Sequence, residues 1–273
     1  MSISKIVVVS DLHCGSTVGL LPPKFMTLEG NEVGQNKIQK RLWDAWYDLW
    51  NDWVPWAVDG HEFAVVINGD LVEGLHHKTT EIVSPEFGDH VRAAQQALVP
   101  MTKLAPSKIF LTEGTECHTK NTEHDLGNAV GAVQDEETGK FCFPRLDLDV
   151  SGARCSFFHH VVATSRSYLE GSGLSITLGN ERAEAARAGL PIPVVLGMAH
   201  RHRHGIFNDG QGIAFTTGAF QALTRHGRKV VPSAVPSPSC VVLDWSETGF
   251  DHIPQVYEKV YTPGKSQRVV VSI

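Results

Sequence analysis

Five short stretches of this sequence concentrate acids and histidines. They are Asp11-Leu12-His13, Gly69-Asp70-Leu71-Val72-Glu73, Gly114-Thr115-Glu116-Cys117-His118, Phe158-His159-His160 and His200-Arg201-His202-Arg203-His204. The chain has 14 histidines, and several fall in these tight groups. Carboxylates and imidazoles without paired cysteines suit hard or borderline ions: Mn²⁺, Fe, Zn²⁺ or Mg²⁺. A carboxylate shared by two such ions spaces them about 3.5–4 Å apart, a spacing used for in-line displacement on phosphate esters. Such a pair polarises phosphoryl oxygens and supplies a hydroxide near neutral pH. A histidine beside it can hand a proton to the leaving oxygen.

Taken singly these fragments say little, since a Gly-Asp after a strand is commonly a turn. Their weight comes from the elements that must position them. The apolar run within residues 4–10 reads as a strand buried on both faces, and it ends at Asp11. Phe63–Ile67 is a second such strand, ending in Asn68-Gly69-Asp70, and Lys108–Thr112 a third, ending in Glu113-Gly114. After Pro144 the pattern alternates, predicting two antiparallel strands around a Ser151-Gly152 turn, the second running toward Phe158-His159-His160. Val194–Leu196 is a fourth buried strand, leading into His200. In open α/β sheets ligands collect at the carboxyl ends of strands, so five clusters at successive strand ends can converge.

Helices fill the intervals. Asn36 with Gln39 predicts a capping box, followed by an apolar stripe Ile38, Leu42, Trp46, Leu49, Trp50, Trp53 and Ala57. Trp43, Trp46, Trp50, Trp53 and Trp56 lie on this stretch. The stripe reads as a core-facing helix, with a partner groove as the sharper alternative, and Pro55 should kink or end it. Residues 90–104 are helical in pattern with a kink at Pro100, 122–133 form a short helix, and 180–188 form a helix capped by Asn180 and stopped by Gly189. Residues 206–245 read as short strands and turns with a Pro/Ser loop at 231–239. The chain from about 246 reads as an extended tail with a final strand at Arg268–Ser272. One domain over 1–273 is expected, since no repeat or linker divides it.

The series DLH (11–13), GDLVEG (69–74), GTECH (114–118), FHH (158–160) and AHRH (199–202) resembles, in order, the calcineurin-like metallophosphoesterase superfamily. The resemblance implies an α/β protein, a four-layer α/β/β/α sandwich of two mixed β-sheets flanked by helices, with a two-metal centre. It implies Asp11, His13 and His202 at the first metal, Asp70 bridging, and His159 and His200 at the second. Mn²⁺ heads the expected ions. The family's Asn ligand and catalytic histidine should fall in 114–118. Glu116 is assigned to the former, with Thr115 as competitor, and His118 to the proton donor. His160 competes with His159, and His202/His204 is a second frame for the last motif. Glu73, His76 and His77 follow the second motif and either shape the substrate pocket or form a solvated loop. Cys14 and Cys117 read as small fillers or as thiols near a metal. Arg166, Arg201 and Arg225, with Arg228 and Lys229 on the same loops, are candidates for substrate phosphate.

The predicted activity is hydrolysis of phosphate esters, diesters before monoesters, and the GTECH variant suggests a phage-type member. The alternatives are a phosphomonoesterase and a non-catalytic scaffold using the Trp-rich helix as a partner surface. A net charge of −6 argues against tight duplex binding but leaves short or single-stranded nucleic acid as a substrate. The 5 cysteines are scattered, which argues against a disulfide framework or a four-cysteine zinc site. No apolar run approaches the roughly 20 residues of a membrane span. The short apolar stretch in MSISKIVVVSDLH is wrongly flanked for a signal peptide, so a cytoplasmic protein is expected.

Overall fold

Strand β1 (Lys5–Val9) is buried along its whole length. The computed structural model, which describes residues 3–76, 78–119, 122–160, 169–230, 234–247 and 252–262, sets this strand at the centre of the first of two five-stranded sheets. A small ribbon, β2 (Phe25–Met26) and β3 (Glu32–Val33), precedes α1 (Lys37–Asp48). The Asn36 side chain accepts from the amides of Ile38 and Gln39, and the Gln39 side chain accepts from the Asn36 amide, a complete capping box. A π-helical turn, Leu49–Trp53, follows, and then α2 (Val54–Val58). The expected break at Pro55 does not occur. The π turn resets the hydrogen-bond ladder, and Pro55 falls in the first turn of α2, where a missing amide costs nothing. Trp46 and Trp50 are fully buried, Trp43 and Trp53 partly so, and Trp56 is 63% exposed. The stripe is therefore core rather than a tryptophan-lined partner surface.

The remaining elements are β4 (Phe63–Asn68), α3 (Phe87–Ala97), α4 (Val99–Lys103), β5 (Lys108–Thr112), α5 (Glu116–Thr119), α6 (Thr122–Val130), β6 (Leu146–Val150), β7 (Ala153–Phe157), α7 (Glu170–Ala188), β8 (Pro193–Met198), β9 (Gly205–Asn208), β10 (Ile213–Thr216), α8 (Arg225–Val230), β11 (Ser239–Asp244) and β12 (Gln255–Val260). The chain breaks at Leu98, two residues before Pro100. Helix α7 begins ten residues before the expected start, so Asn180 is interior. Leu174 and Leu178 hold its first half against the sheet, which local propensity in this Ser/Gly-rich segment does not announce. Arg225, Arg228 and Lys229 lie on α8, not on a loop. The described part of the expected tail contains β12, paired antiparallel with β11; the predicted strand at 268–272 lies outside the described residues.

The first sheet has order β12-β11-β1-β4-β5 and the second β6-β7-β8-β10-β9. In the first, β1, β4 and β5 run parallel while β11 pairs antiparallel with both β1 and β12; in the second, β7, β8 and β10 run parallel and the flanking β6 and β9 pair antiparallel. Alternation along β1 divides the core. Ile6 and Val8 face the second sheet and meet Phe157, Val195 and Phe215. Val7 and Val9 face α1 to α4 and α6, with Trp46, Ala94 and Met101. On the far side of the second sheet, Leu196, Met198 and Ala214 pack under Leu174 and Leu178 of α7. The result is helices, sheet, sheet, helix: four layers, α/β/β/α. No helix among the described residues is long and apolar enough to cross a membrane.

Candidate metal centre

The loops after β1 and β4 run together like a short continuation of the sheet. Asp11 N–H donates to Gly69 O at 3.0 Å, His13 N–H to Asp70 O at 3.0 Å and Cys14 N–H to Leu71 O at 2.9 Å. This pairing sets Asp11, His13 and Asp70 side by side. The loop after β7 joins them where His159 Nδ1–H donates to Asn68 O at 2.8 Å. The loop after β8 joins through the His200 amide, 3.3 Å from Asp11 Oδ2. Two glycines permit the approach. A Cβ on Gly69, which has φ +79°, would collide with the His159 ring, and one on Gly114 would collide with the Asp70 amide.

Two three-residue groups result, Asp11/His13/His202 and Asp70/His159/His200, and a third, His13/Asp70/His118, overlaps both. In the first, His13 Nε2 is 3.2 Å from His202 Nε2, and Asp11 Oδ1 is 3.4 Å from His202 Nε2 and 3.8 Å from His13 Nε2. In the second, His159 Nε2 is 3.0 Å from Asp70 Oδ2. That same oxygen is 3.8 Å from His13 Nε2, so Asp70 stands between the groups. Asp11, His13, Asp70, His200 and His202 all have left-handed backbone, with φ between +44° and +69°. Such conformations cost about 1–3 kcal/mol each and concentrate at functional sites.

Glu73 supports this arrangement from behind. One carboxylate oxygen lies 3.0 Å from His13 Nδ1 and accepts from Gln221 Nε2 at 2.6 Å; the other meets His76 Nε2 at 2.9 Å. Burial opposes the Glu73 charge, but the bonds from His13 and His76 hold its pKa well below the usual range. Burial likewise opposes charge on Asp70, while His159 beside it keeps the carboxylate ionised. His159 itself is pushed up to about 10, burial being outweighed by Asp70. His13 is raised well above its ordinary value, against burial, by Asp11 and Glu73. His13 and His159 are thus held toward the protonated form without metal, whereas burial lowers His200 and lowers His202 to about 4.

The donor set fits divalent cations. Asp11 Oδ1 is buried without a hydrogen-bond partner. Nδ1–H of His159 is spent on a carbonyl and Nδ1 of His13 faces a carboxylate, which leaves each Nε2 for an ion and is the support metal-bound histidines usually have. With metal–nitrogen bonds of about 2.0–2.1 Å, two nitrogens on one tetrahedral ion lie about 3.4 Å apart. The His13–His202 separation is close to that.

The other expected residues divide. His118 joins the site: its Nδ1–H donates to Glu73 O at 2.7 Å, and its ring is edge-on to His13 at 4.8 Å between centroids. Burial, then the charge on His13, lowers it to about 4. Glu116 does not join. It is exposed on α5 and belongs to neither group. Thr115 is the residue that meets Asp70, through its amide at 2.6 Å and its hydroxyl at 3.2 Å, and the hydroxyl is also 3.2 Å from His200 Nδ1. His160 is exposed, its ring beside those of His159 and His200. His204 turns away to Glu258 and Thr216 O, which leaves His200 and His202 as the pair at the centre. Arg201 lies between them in sequence and is half-buried; Arg225 is exposed beside Glu81; neither belongs to the groups. Arg166 and His77 lie outside the described residues.

Sequence reasoning missed Glu123 and Gln221. Glu123 is buried, accepts the Gly114 amide at 2.6 Å, and is pushed up to about 8 by burial and the nearby Asp70 charge. Gln221 reaches Glu73 across 148 residues of sequence. Neither lies in a motif; the only local hint is a carboxylate near the third cluster.

No family model matches the chain, and no curated protein does. Solved structures similar to it include an archaeal phosphodiesterase (12% identity, covering 94% of this chain and 99% of that one, TM-score 0.45). Vps29 from Entamoeba histolytica complexed with Zn²⁺ is another (10%, 94% and 99%, TM-score 0.41). Vps29 from Chaetomium thermophilum is a third (13%, 96% and 99%, TM-score 0.39). The four layers, α/β/β/α, and the order of the candidate ligand loops agree with what the sequence resemblance implies.

Proposed function

We propose that the protein is a metal-dependent phosphoesterase, acting on diesters before monoesters, with two divalent cations held at adjoining positions. What carries this reading is the position of Asp70, 3.0 Å from His159 Nε2 in one group and 3.8 Å from His13 Nε2 in the other. Asp11, His13 and His202 hold one cation, His159 and His200 the other, and Asp70 both. Thr115, rather than Glu116, takes the place next to Asp70. When bound, the two cations lower the pKa of water and polarise the phosphoryl oxygens, and Mn²⁺ is the expected ion.

The chain's own residues do the rest. Glu73 and the Asn68 carbonyl fix the His13 and His159 rings, so the ligand nitrogens need no reorganisation. His118 keeps Nδ1–H on the Glu73 carbonyl and works at Nε2. At rest it is neutral; an anionic phosphate beside it raises its pKa and loads Nε2 with the proton the leaving oxygen requires. The exposed His160 and His200 leave the site open on one side, which gives room for a second ester arm. Arg201 stands between His200 and His202 in sequence and is a candidate for the substrate phosphate, with Arg166 and, on α8, Arg225.

The test is hydrolysis of bis(p-nitrophenyl) phosphate beside p-nitrophenyl phosphate, with Mn²⁺ and with EDTA. Mn²⁺-dependent preference for the diester is expected. Preference for the monoester would make the protein a phosphatase. No turnover of either with any of Mn²⁺, Fe²⁺, Zn²⁺ or Mg²⁺ would overturn the reading in favour of a scaffold.

A further inference from the structure

The loop that follows Asp70 carries a histidine which the two groups above do not use. His76 lies against α5, with its ring edge-on to that of His118 at 4.1 Å between centroids. The contact is enforced by backbone: a Cβ on Gly74 would collide with the His118 carbonyl. Cys117 precedes His118 and is exposed, while Cys14, Cys142, Cys155 and Cys240 are buried. Ligand atoms from His76, Cys117 and His118 all lie within 4.8 Å of one another.

We propose that His76, Cys117 and His118 form a third metal site, softer than the two beside it, whose filling by Zn²⁺ withdraws His118 and stops hydrolysis. Three observations carry this. Both imidazoles are supported on the far nitrogen as metal-bound histidines are: His76 Nε2 by the Glu73 carboxylate at 2.9 Å and His118 Nδ1 by the Glu73 carbonyl at 2.7 Å. The other nitrogens, Nδ1 of His76 and Nε2 of His118, are the ones assigned to the ion. The donor set, two nitrogens and a thiolate, selects Zn²⁺ and excludes Mg²⁺ and Mn²⁺, which prefer oxygen-rich sites. Finally, His118 Nε2 has one lone pair. It goes to a proton or to an ion, so occupancy here and proton transfer are mutually exclusive. On binding, the Cys117 thiol gives its proton to solvent and its sulfur to the ion. Glu73 thereby links the two sites, holding His13 on one side and His76 and His118 on the other.

The site itself stands independently of the proposed activity; only its inhibitory consequence rests on that reading. The experiment is titration of EDTA-treated full-length protein with Co²⁺, followed by near-ultraviolet thiolate-to-cobalt charge-transfer absorption. It is run on wild type, Cys117→Ser, Cys117→Ala and Asp70→Asn. The band is expected in wild type and in Asp70→Asn, and absent from both Cys117 variants. In parallel, Zn²⁺ is titrated into Mn²⁺-supported hydrolysis of bis(p-nitrophenyl) phosphate. Wild type should be inhibited, and the Cys117 variants should need at least about tenfold more Zn²⁺ while keeping their Mn²⁺ activity. No band in wild type, or a band that survives loss of Cys117, overturns the site. A band without any change in Zn²⁺ inhibition overturns the switch. A wild-type protein that hydrolyses nothing yet shows the band refutes the proposed activity and leaves the site standing.

Discussion

The ligand cluster has two unlike walls. On one side Asp11, His13, Asp70 and His159 come from loops after β1, β4 and β7 and are almost wholly buried. Each is held by another group: Asp11 by the Ser10 hydroxyl, His13 by Glu73, Asp70 by the Thr115 amide and His159 by the Asn68 carbonyl. On the other side His200 and His202 come from one turn after β8. His200 is exposed, and the His202 side chain keeps 25% of its surface. The buried wall supplies precision and the open wall supplies access. Charges fixed in place of water are what an electrostatic centre requires, while exchange of ions, substrate and product needs a side that yields.

Four measurements would break or sharpen this contrast. Asp70→Asn removes the carboxylate shared by both groups, and Mn²⁺-dependent diester hydrolysis should fall on the order of 10³-fold, read as kcat/KM. Retained metal content and activity would show that the buried wall does not hold the ions. Next, His13 and His159 both carry protons at pH 7 without metal, because their pKa values are raised, His159 to about 10. Binding must expel both, one at each cation, so the apparent affinity for each cation should rise up to about tenfold per pH unit near neutrality. Calorimetry in buffers of different ionisation enthalpy should count about two protons released per chain.

The direct comparison of the walls is Glu73→Gln against His200→Ala. Glu73 touches no ion in the proposed arrangement, yet its loss unfixes His13 and should cost about 10–100-fold in metal affinity. His200→Ala should cost about tenfold or less, with stability changed by no more than about 0.5 kcal/mol. A larger loss from the exposed ligand would invert the assignment of precision to the buried wall. The last measurement concerns Glu123, whose carboxyl is raised to about 8. Between its ordinary value near 4.3 and that figure, the native state binds a proton that the unfolded chain does not, so this group's contribution to stability declines as pH rises. Urea unfolding in EDTA at pH 5, 6.5 and 8 should show Glu123→Gln losing about 1 kcal/mol less per pH unit than wild type across that window.

The same contrast marks what could be read from the amino-acid sequence. Candidate ligands of the buried wall follow apolar runs directly, so Asp11, Asp70 and His159 announce themselves at strand ends. Lys108–Thr112 and the hairpin around Ser151-Gly152 are equally legible, because an apolar run, and an alternating pattern about a turn dipeptide, are local signals. What escaped depends on distant partners. Helix α7 starts at Glu170 because Leu174 and Leu178 find the second sheet. Glu116 looks like a ligand by type, but α5 turns it to solvent and leaves Thr115 facing Asp70. Glu123 and Gln221 acquire their roles only when loops far apart in the chain meet.

The left-handed backbone at Asp11, His13, Asp70, His200 and His202 has a consequence for redesign. A sequence optimiser given this backbone alone would favour glycine or asparagine at all five positions, since those residues adopt the conformation at least cost. It would return a sturdier protein with its candidate metal centre erased.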